Sequence, residues 1–292
     1  MDKKKILKAG KIAKQVREYI TPLIKKNVSL LEIANKIEDK IIELGGKPAF
    51  PTNLSINNIT AHSTPTHNDE TKAHGLLKVD FGVHINGWTS DTAFSIDLEN
   101  NKENKKLIEA SEKALENAIK ITKENILANE IGKTISETIE SYNFSPVRNL
   151  AGHQMENYEL HAGITIPNID DKKNITVSLG LYAIEPFATN GSGKVHDGKP
   201  SEIYIVIDSK NPRSPIAREI LNFILEEYQT LPFCSRWLVK KFGTKALIGL
   251  SQLTQNKNLH RFAQLVETPN SKVAQSEHTI LIEKNEIIVT TR

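Results

Sequence analysis

The sequence predicts a mixed α and β protein in which a helical unit interrupts a domain that contains sheet. Two amphipathic helical patterns open the chain, and short strand-like runs separated by Asn, Pro and Gly follow them. Helical patterns return between residues 211 and 259, and strand-like runs resume after them. Because the strands resume, we expect the helical unit to be inserted into the sheet domain and not appended to it.

The first half of the chain predicts helices, then strands, then helices. Apolar residues recur at helical spacing over residues 6–25 and 28–44, and Gly45 and Gly46 end the second helix. The runs LSINNITAH, GLLKVDFGVHI and DTAFSIDL are typical of strands. Residues 104–127 and 131–142 again favour helices.

The second half adds strands on both sides of the helical unit. The runs ELHAGITI, GLYAIEPFA and SEIYIVIDS precede it, and FAQLVE, QSEHTILIE and EIIVTTR follow it. The unit itself is expected to contain three short helices, over residues 216–228, 234–242 and 245–255.

Composition limits the classes of function. The 292 residues are 38% hydrophobic, which is enough for a sizeable core. The formal net charge of +3 gives little support for a polyanionic partner. Cys234 is the only cysteine, which excludes an intramolecular disulfide and a thiolate metal cluster. No apolar run could span a bilayer and no signal core follows the basic N-terminus, so we expect a soluble, cytoplasmic protein without a membrane partner.

Two aspartates stand in strand-like surroundings that disfavour them. Asp80 lies in LLKVDFGV and Asp91 opens DTAFSID, although a strand Asp is costly to desolvate. Asn86 and Gly87 lie between them and predict a hairpin turn, which would bring the two carboxylates together on adjacent strands. Two such carboxylates repel each other unless a cation or a proton lies between them. Taken alone, the two positions are as compatible with turn capping or pairing with surface lysines as they are with a shared cation site.

Four further polar residues occur in Gly-flanked or strand-like contexts. They are His153 in AGHQME, His161 in ELHAGI, Glu185 in AIEPFA and Glu277 in QSEHTI. Carboxylates with an imidazole and no thiolate suit Mn, Fe, Co or Zn. Bridging carboxylates would hold two such ions close together.

Six segments make the chain resemble the type 2 methionine aminopeptidases over essentially its whole length. They are FPTNLSINNITAHSTP, KVDFGVHINGWTSDTA, GHQMENYELHAGITIPN, YAIEPFATNGSGKV, TLPFCSRWL and VAQSEHTI. The resemblance implies an α+β pita-bread fold, in which helices cover a curved antiparallel sheet. It assigns residues 1–202 and 263–292 to the catalytic domain and residues 203–262 to the helical insertion subdomain that distinguishes type 2 from type 1 enzymes.

The resemblance also implies a dimetal centre that holds two divalent ions, Co, Mn, Fe or Zn, in each chain. Asp91 and Glu277 would bridge the ions, Asp80 would bind one ion alone, and His153 and Glu185 would bind the other. The implied reaction is removal of the N-terminal Met from nascent proteins and peptides, with a small second residue preferred. Metal-activated water would attack the Met carbonyl while Glu185 shuttles the proton.

The family's substrate-binding residues match five positions of this chain. His62 and His161 would contact the substrate and stabilise the tetrahedral intermediate, one of them by donating to the oxyanion. Phe50, Leu160 and Phe262 would form the wall of the Met pocket. The chain departs from the family at Ser63, where Tyr is usual, and at Phe262-Ala263, where Tyr-Pro is usual. These departures affect the shape of the pocket, because neither removes a metal ligand.

Two rival functions use the same fold. One is a ribosome- or RNA-binding protein that has lost the metal ligands, but all five ligand positions carry ligating residues here. The other is an Xaa-Pro dipeptidase, which usually has a further N-terminal domain and lacks the helical insertion. We expect a monomer. Lys3 to Lys5 and Lys102 to Lys106 are interpreted as solvated faces, with ribosome association as the alternative.

The remaining polar residues are predicted to have structural roles. His67, His74 and His84 are expected at the surface, and His278 on the strand face opposite Glu277. His196 and His260 are candidates for the edge of the substrate cleft. The segment NGSGKV lacks the spacing of a phosphate loop and is interpreted as a flexible turn. Cys234 is expected to be a buried thiol on a helix and not a nucleophile.

Overall fold

The computed structural model describes residues 1–292, and its N-terminal half opens with two helices and two hairpins. Helix α1 is followed by a short 3-10 turn, Thr21–Leu23, and Asn57 and Asn58 separate the first two strands. The first elements are α1 (Lys3–Ile20), α2 (Leu30–Glu43), β1 (Lys47–Ile56), β2 (Ile59–Ala61), β3 (Leu76–Ile85), β4 (Trp88–Asp97), α3 (Lys102–Ile121) and α4 (Ala128–Ser141).

The second half contains eleven strands and three helices. They are β5 (Ser145–Pro146), β6 (Ala151–Glu156), β7 (Glu159–Pro167), β8 (Gly180–Ile184), β9 (Phe187–Thr189), β10 (His196–Val206), α5 (Pro215–Glu227), β11 (Phe233–Cys234), α6 (Ser235–Phe242), α7 (Lys245–Gln255), β12 (Leu259–Val266), β13 (Val273–Gln275), β14 (His278–Glu283) and β15 (Glu286–Val289). The prediction of mixed α and β structure with a helical unit between strands is therefore confirmed.

The strands form four small antiparallel sheets. Their orders are β1-β3-β4, β11-β10-β12-β2, β13-β9-β5 and β15-β14-β8-β6-β7. An isolated bridge between Ala93 of β4 and Glu277 joins the first sheet to the segment between β13 and β14. Its hydrogen bond runs from the Glu277 N–H to the Ala93 carbonyl at 2.9 Å.

The first two pairs of helices each cover strands with an apolar core. Helices α1 and α2 pack their buried faces on β1, β3 and β4, and 19 buried residues form that cluster. Helices α3 and α4 make an equivalent cluster against β8, β13 and β14. Burial of apolar surface on this scale is the main term that stabilises the two layers. The polar residues discussed below lie on the other faces of these sheets.

The helical unit has an apolar core of its own. Helices α5, α6 and α7 supply most of an 11-residue cluster that also includes Tyr204 of β10 and Leu259 of β12. The chain leaves the sheet at β10 and returns at β12, and these two strands pair with each other. The boundaries at residues 203 and 262 stay a prediction.

Three strand-like runs are broken where the sequence predicted continuous strands. LSINNITAH divides at Asn57, whose φ of 50° makes the turn between β1 and β2. GLYAIEPFA divides at Glu185 and Pro186, because proline has no N–H for the ladder. QSEHTILIE divides at Ser276 and Glu277. Two of the predicted metal ligands, Glu185 and Glu277, therefore lie at strand breaks.

Smaller corrections concern His84, Cys234 and a helix end. The predicted hairpin turn at Asn86 and Gly87 is confirmed, but His84 beside it is only 5% exposed and was wrongly expected at the surface. Its Nδ1 accepts a hydrogen bond from the Gly87 N–H at 3.0 Å. Cys234 precedes α6 instead of lying within it, and α3 ends at Ile121, six residues before the predicted end at 127. None of the helices combines the length and apolar character needed to cross a membrane.

Candidate metal centre and substrate pocket

Five separate segments bring the predicted metal ligands to one cavity. Asp80 lies on β3, Asp91 on β4, His153 on β6, Glu185 between β8 and β9, and Glu277 between β13 and β14. All five line a cavity of about 260 Å³. The structure thus brings the predicted set together, and its metal-binding role stays a prediction.

The hairpin register explains why Asp80 and Asp91 share a face. Asp80 pairs with Ala93, and Asp91 pairs with Gly82. Because Gly82 is two residues from Asp80, the two carboxylates lie diagonally on one face of the hairpin. Gly82 also leaves room for the pocket, since a Cβ atom there would lie 2.4 Å from the Phe50 ring.

The ligand atoms lie at distances that one ion could span. His153 Nε2 is 3.7 Å from Asp91 Oδ2 and 3.8 Å from Glu185 Oε1. One ligand atom each from Asp91, His153 and Glu277 lie within 4.8 Å of one another. Bonds from a metal ion to its ligand atoms are about 2 Å long. Two ligand atoms of one ion can therefore be separated by the distances between His153 and its two carboxylate neighbours.

The carboxylates carry a strong electrostatic cost without a cation. Burial raises the pKa of Asp80 to about 7. Burial, and then repulsion from neighbouring carboxylates, raises the pKa of Asp91, Glu185 and Glu277 well above the ordinary carboxyl range. No lysine or arginine forms an ion pair with any of these four carboxylates.

The donor set fits divalent cations. Asp80 Oδ1, Asp91 Oδ1 and Glu277 Oε1 are buried and have no hydrogen-bond partner. Burial lowers the pKa of His153 to about 3, so the imidazole is neutral near pH 7 and has a lone pair available for a metal. Buried acceptors of this kind require a partner, and an oxygen and nitrogen set matches the metals expected from the sequence.

Gln275 is a member of the site that the sequence analysis did not assign. Its Nε2 donates at 3.4 Å to Asp80 and at 3.5 Å to Glu185 and Glu277. The residue is 1% exposed and ends β13, directly before the strand break. The segment QSEHTI drew notice through Glu277, but nothing local in it shows that the Gln faces the same carboxylates.

The two predicted substrate histidines also line the cavity. His62 Nδ1 contacts the Ala263 carbonyl at 3.2 Å, and His62 has a φ of 57°, which is unusual for a residue other than Gly. The His161 ring lies 4.3 Å from that of His153 in an edge arrangement. Burial lowers the pKa of His62, and it lowers that of His161 to about 4, so both rings are neutral near pH 7.

The predicted apolar wall is present, and further residues complete it. Phe50, Leu160 and Phe262 line the same cavity as the ligands. Ile203 of β10 and Pro232, between α5 and β11, line it too, so the helical unit also contributes to the wall through Pro232. The lining residues that sequence analysis did not assign are Pro51, Asn53, Ala61, Leu150, Ala151, Phe187, Ile203, Pro232 and Leu265.

The positions that depart from the family pattern cluster around His62. The Phe262 ring is 5.2 Å from the His62 imidazole, and Ala263 supplies the carbonyl that His62 contacts. Ser63 Oγ accepts a hydrogen bond from Gln264 Nε2 at 3.1 Å. The departures therefore lie beside a predicted substrate residue and leave the predicted metal ligands untouched.

The other predicted roles have mixed outcomes. The structural role of His278 is confirmed, because its ring contacts Thr291 Oγ1 at 2.8 Å. Cys234 is buried, and burial raises its pKa to about 12, which confirms an inert thiol. His196 is exposed and does not line the cavity, whereas the exposed His260 ring lies 4.9 Å from the ring of Phe262, which does. Their positions at the edge of the substrate cleft stay predictions.

Comparisons with known proteins agree with this geometry. The sequence matches the profile of metallopeptidase family M24 over residues 4–284. It is 45% identical over 291 residues to a methionine aminopeptidase of Methanocaldococcus jannaschii, which covers 99% of this chain and 98% of the relative. It is 46% identical over 296 residues to a methionine aminopeptidase of Pyrococcus abyssi, and the alignment covers 100% of each chain.

Solved structures confirm the pita-bread fold. A thermophilic Arx1 has a TM-score of 0.81 at 16% identity, covering 98% of this chain and 90% of that chain. A methionine aminopeptidase of Thermotoga maritima has a TM-score of 0.72 at 22% identity, with coverages of 99% and 96%. A prolidase of Pyrococcus furiosus has a TM-score of 0.64 at 17% identity, with coverages of 99% and 63%.

Proposed function

The chain belongs to metallopeptidase family M24, among its methionine aminopeptidases, and we propose that it removes the N-terminal Met from nascent proteins and peptides with a small second residue. The observation that carries the proposal is one cavity that contains both a buried carboxylate and histidine cluster and an apolar wall. The helical unit between β10 and β12 fits the type 2 branch of the family.

We propose that Asp80, Asp91, His153, Glu185 and Glu277 would hold the metal. The orphaned carboxylate oxygens and the neutral His153 ring support this assignment. We propose two divalent ions per chain, of Co, Mn, Fe or Zn. When bound, such ions activate a water and polarise the scissile carbonyl.

Glu185 is the proposed proton shuttle among these carboxylates. Its side chain is 14% exposed, whereas that of Asp91 is 6% exposed, so Glu185 is the more accessible to a water or substrate in the cavity. A general base must reach the proton that it accepts and later hand it to the leaving amine.

The hydrogen bonds of the two histidines suggest different tasks. His62 donates from Nδ1–H to the Ala263 carbonyl, which leaves Nε2 of the neutral ring as an acceptor. We therefore assign His62 to accept from an N–H of the substrate backbone. His161 is neutral and has no such backbone partner, so we assign it to donate to the developing oxyanion.

The Met side chain is proposed to bind against Phe50, Leu160 and Phe262. We propose that residues 1–202 and 263–292 form the catalytic domain, and that the helical subdomain of residues 203–262 completes this wall. The separate apolar core of α5 to α7 supports the division.

We propose that the enzyme is a monomer that acts on nascent chains in the cytoplasm, with ribosome association as the alternative role of its basic N-terminus. Two of the N-terminal lysines, however, already form ion pairs with acidic residues of the same chain. Lys3 pairs with Glu283 and Glu286, and Lys5 pairs with Asp2 at 3.0 Å. These ion pairs offset much of the positive charge of Lys3 to Lys5 and favour a solvated face over ribosome binding there.

Peptide turnover after metal reconstitution tests the proposed function. Metal-free protein is loaded with Mn, Co, Fe or Zn and incubated with Met-Ala-Ser, Met-Glu-Ser or Ala-Pro. We expect metal-dependent release of Met from Met-Ala-Ser and little release from Met-Glu-Ser. Preferential cleavage of Ala-Pro would indicate a prolidase, and no turnover with two ions bound would indicate a binding protein.

A further inference from the structure

We propose that Arg236, in the first turn of α6, is a positioning residue for His62 and for the wall of the Met pocket. The inference rests on the proposed aminopeptidase function, and it extends that function to a side chain outside the cavity. Arg236 lies in the segment TLPFCSRWL, and neither it nor Trp237 lines the cavity. Its contacts nevertheless run from the helical unit to two segments that do.

A buried ion pair anchors Arg236 to helix α2. Its Nη1 donates to Glu38 Oε2 at 2.5 Å and its Nη2 donates to Glu38 Oε1 at 2.9 Å. The two side chains are 6% and 7% exposed. A buried pair of this kind is tolerated only when its other donors and acceptors are also satisfied.

All five N–H groups of Arg236 have acceptors. Besides the two bonds to Glu38, Nη1 donates to Asn35 Oδ1 at 3.2 Å, Nε donates to the Pro65 carbonyl at 3.2 Å, and Nη2 donates to Thr64 Oγ1 at 3.4 Å. Thr64 and Pro65 follow the substrate histidine by two and three residues. The guanidinium therefore fixes the chain immediately after that histidine.

Glu38 reaches the pocket wall from the same ion pair. Its Oε1 also accepts from the Thr52 N–H at 3.2 Å. Strand β1 has a bulge here, because its register moves from Phe50 opposite Gly82 to Asn53 opposite Asp80. The bulge takes Thr52 out of the ladder, and its N–H is satisfied by Glu38. The residues on both sides of Thr52 line the cavity.

The conformation of His62 explains why such support is needed. The φ of 57° at His62 is unfavourable for any residue that has a β-carbon. Such a conformation persists only where surrounding contacts hold it. Three contacts hold this segment: Leu54 N–H donates to the Ser63 carbonyl at 2.6 Å, His62 contacts Ala263, and Arg236 binds the two following residues. Loss of the last contact would let His62 shift relative to the substrate.

The first test is Arg236→Lys in the metal-loaded enzyme. Lysine keeps a positive charge opposite Glu38 but cannot form the five-donor fork, so we expect a folded variant that loses the contacts to Thr64 and Pro65. We expect kcat for Met-Ala-Ser to fall by roughly 10- to 100-fold, since small displacements of positioned groups cost this much. The number of bound metal ions should not change.

The same substitution in a His62→Ala variant distinguishes a positioning role of Arg236 from a general loss of structure. If Arg236 acts through His62, Arg236→Lys should cause at most an approximately twofold further loss of kcat in a His62→Ala variant. In metal-free protein, the NMR signal of the His62 Nδ1 proton should shift or broaden in Arg236→Lys. Lys47→Met is the matched control, because it removes an exposed ion pair with Glu227, at 2.7 Å, that also joins β1 to the helical unit. It should leave both readouts unchanged.

Unchanged kcat and an unchanged His62 signal in folded Arg236→Lys would overturn the proposal, as would a full loss that persists in His62→Ala. If Arg236→Lys does not fold, Trp237→Phe replaces it. That change removes the Trp237 hydrogen bond to Glu38, at 2.8 Å, and keeps a smaller aromatic ring beside Tyr228. It should lower kcat about twofold to fivefold with the same dependence on His62. Turnover of Met-Ala-Ser by the metal-loaded wild type tests the proposed function itself, independently of any result for Arg236.

Discussion

Glu267 and Glu277 are equally buried, at 1% exposure each, but they lie in opposite electrostatic environments. Glu267 follows β12 and faces the loop after β9, whereas Glu277 faces the cavity with three other carboxylates. The pKa of Glu267 is lowered to about 2, and that of Glu277 is raised well above the ordinary range. Burial alone therefore does not determine the charge state of a carboxyl group in this protein.

The environment of Glu267 supplies a donor for each of its lone pairs. Burial raises its pKa, but hydrogen bonds from Thr268, Ser192 and Ser271 outweigh burial and lower it. The Gly193 N–H also donates at 2.8 Å, so the segment NGSGKV encloses a carboxylate of its own chain and not a phosphate. The expectation of a merely flexible turn missed this contact.

Glu277 has no comparable donors. Its Oε1 has no hydrogen-bond partner, and Gln275 reaches its Oε2 only at 3.5 Å. The protein satisfies the carboxylate that has a structural role and leaves unsatisfied the one that we assign to metal. A buried carboxylate oxygen without a donor is thus the feature that distinguishes Glu277 from Glu267.

The largest expected effect comes from Glu277→Ala. Removal of this proposed ligand should weaken metal binding and lower kcat/KM for Met-Ala-Ser by roughly 10³-fold or more, because bound metal contributes several kcal/mol to catalysis. Steady-state kinetics after metal loading measure it. If the variant kept the kcat/KM of the wild type, Glu277 would not be a metal ligand and would not differ in role from Glu267.

A smaller effect concerns the pH dependence of stability in metal-free protein. The folded-state pKa of Asp80 is about 7, against roughly 4 when unfolded, so the folded state binds the proton more tightly. Its contribution to the free energy of unfolding must therefore fall as pH rises from about 4 to 7. Asp80→Asn should gain stability relative to wild type over this range, by a few kcal/mol.

Denaturant unfolding of the metal-free pair at pH 4.5 and pH 7.5 measures this gain, and the difference between the two proteins cancels the contribution of the buried histidines. A difference that does not grow with pH would contradict the raised pKa. Added metal should restore the stability of the wild type at pH 7.5 but not that of Asp80→Asn to the same extent.

Glu267→Gln should have the opposite pH dependence and the smallest effect. The depressed pKa of Glu267 means that its stabilisation is present above about pH 4.3 and is lost as pH falls toward 2. The variant should lose about 2 kcal/mol of unfolding free energy at pH 7, because hydrogen bonds to a charged acceptor are weakened. Urea titrations at pH 7 and pH 2.5 test it, and equal losses at both values would show that charge is not the cause.

Local signals in the sequence were sufficient for much of the fold and for part of the site. Asn86 and Gly87 specify the hairpin, and the hairpin register then brings Asp80 and Asp91 together. The strand breaks at Glu185 and Glu277 were not foreseen, although Pro186 and the polar run from Gln275 to His278 are local signals for them.

Contacts between distant segments had no local signal at all. Arg236 and Glu38 are 198 residues apart, and Glu267 meets Gly193 across 74 residues. Nothing in either sequence neighbourhood identifies its partner. The ligand set was accessible only through the resemblance to a family, since residue types alone left turn capping as an equal alternative for the two aspartates.

The number of metal ions bound per chain tests the central claim most directly. Metal-free wild type, Glu277→Gln and Glu267→Gln are saturated with Mn or Zn, freed of excess metal, and analysed by elemental mass spectrometry. We predict two ions in the wild type and in Glu267→Gln, and fewer than two in Glu277→Gln. Two ions in Glu277→Gln, or none in the wild type, would contradict the assignment of the unsatisfied carboxylates as metal ligands.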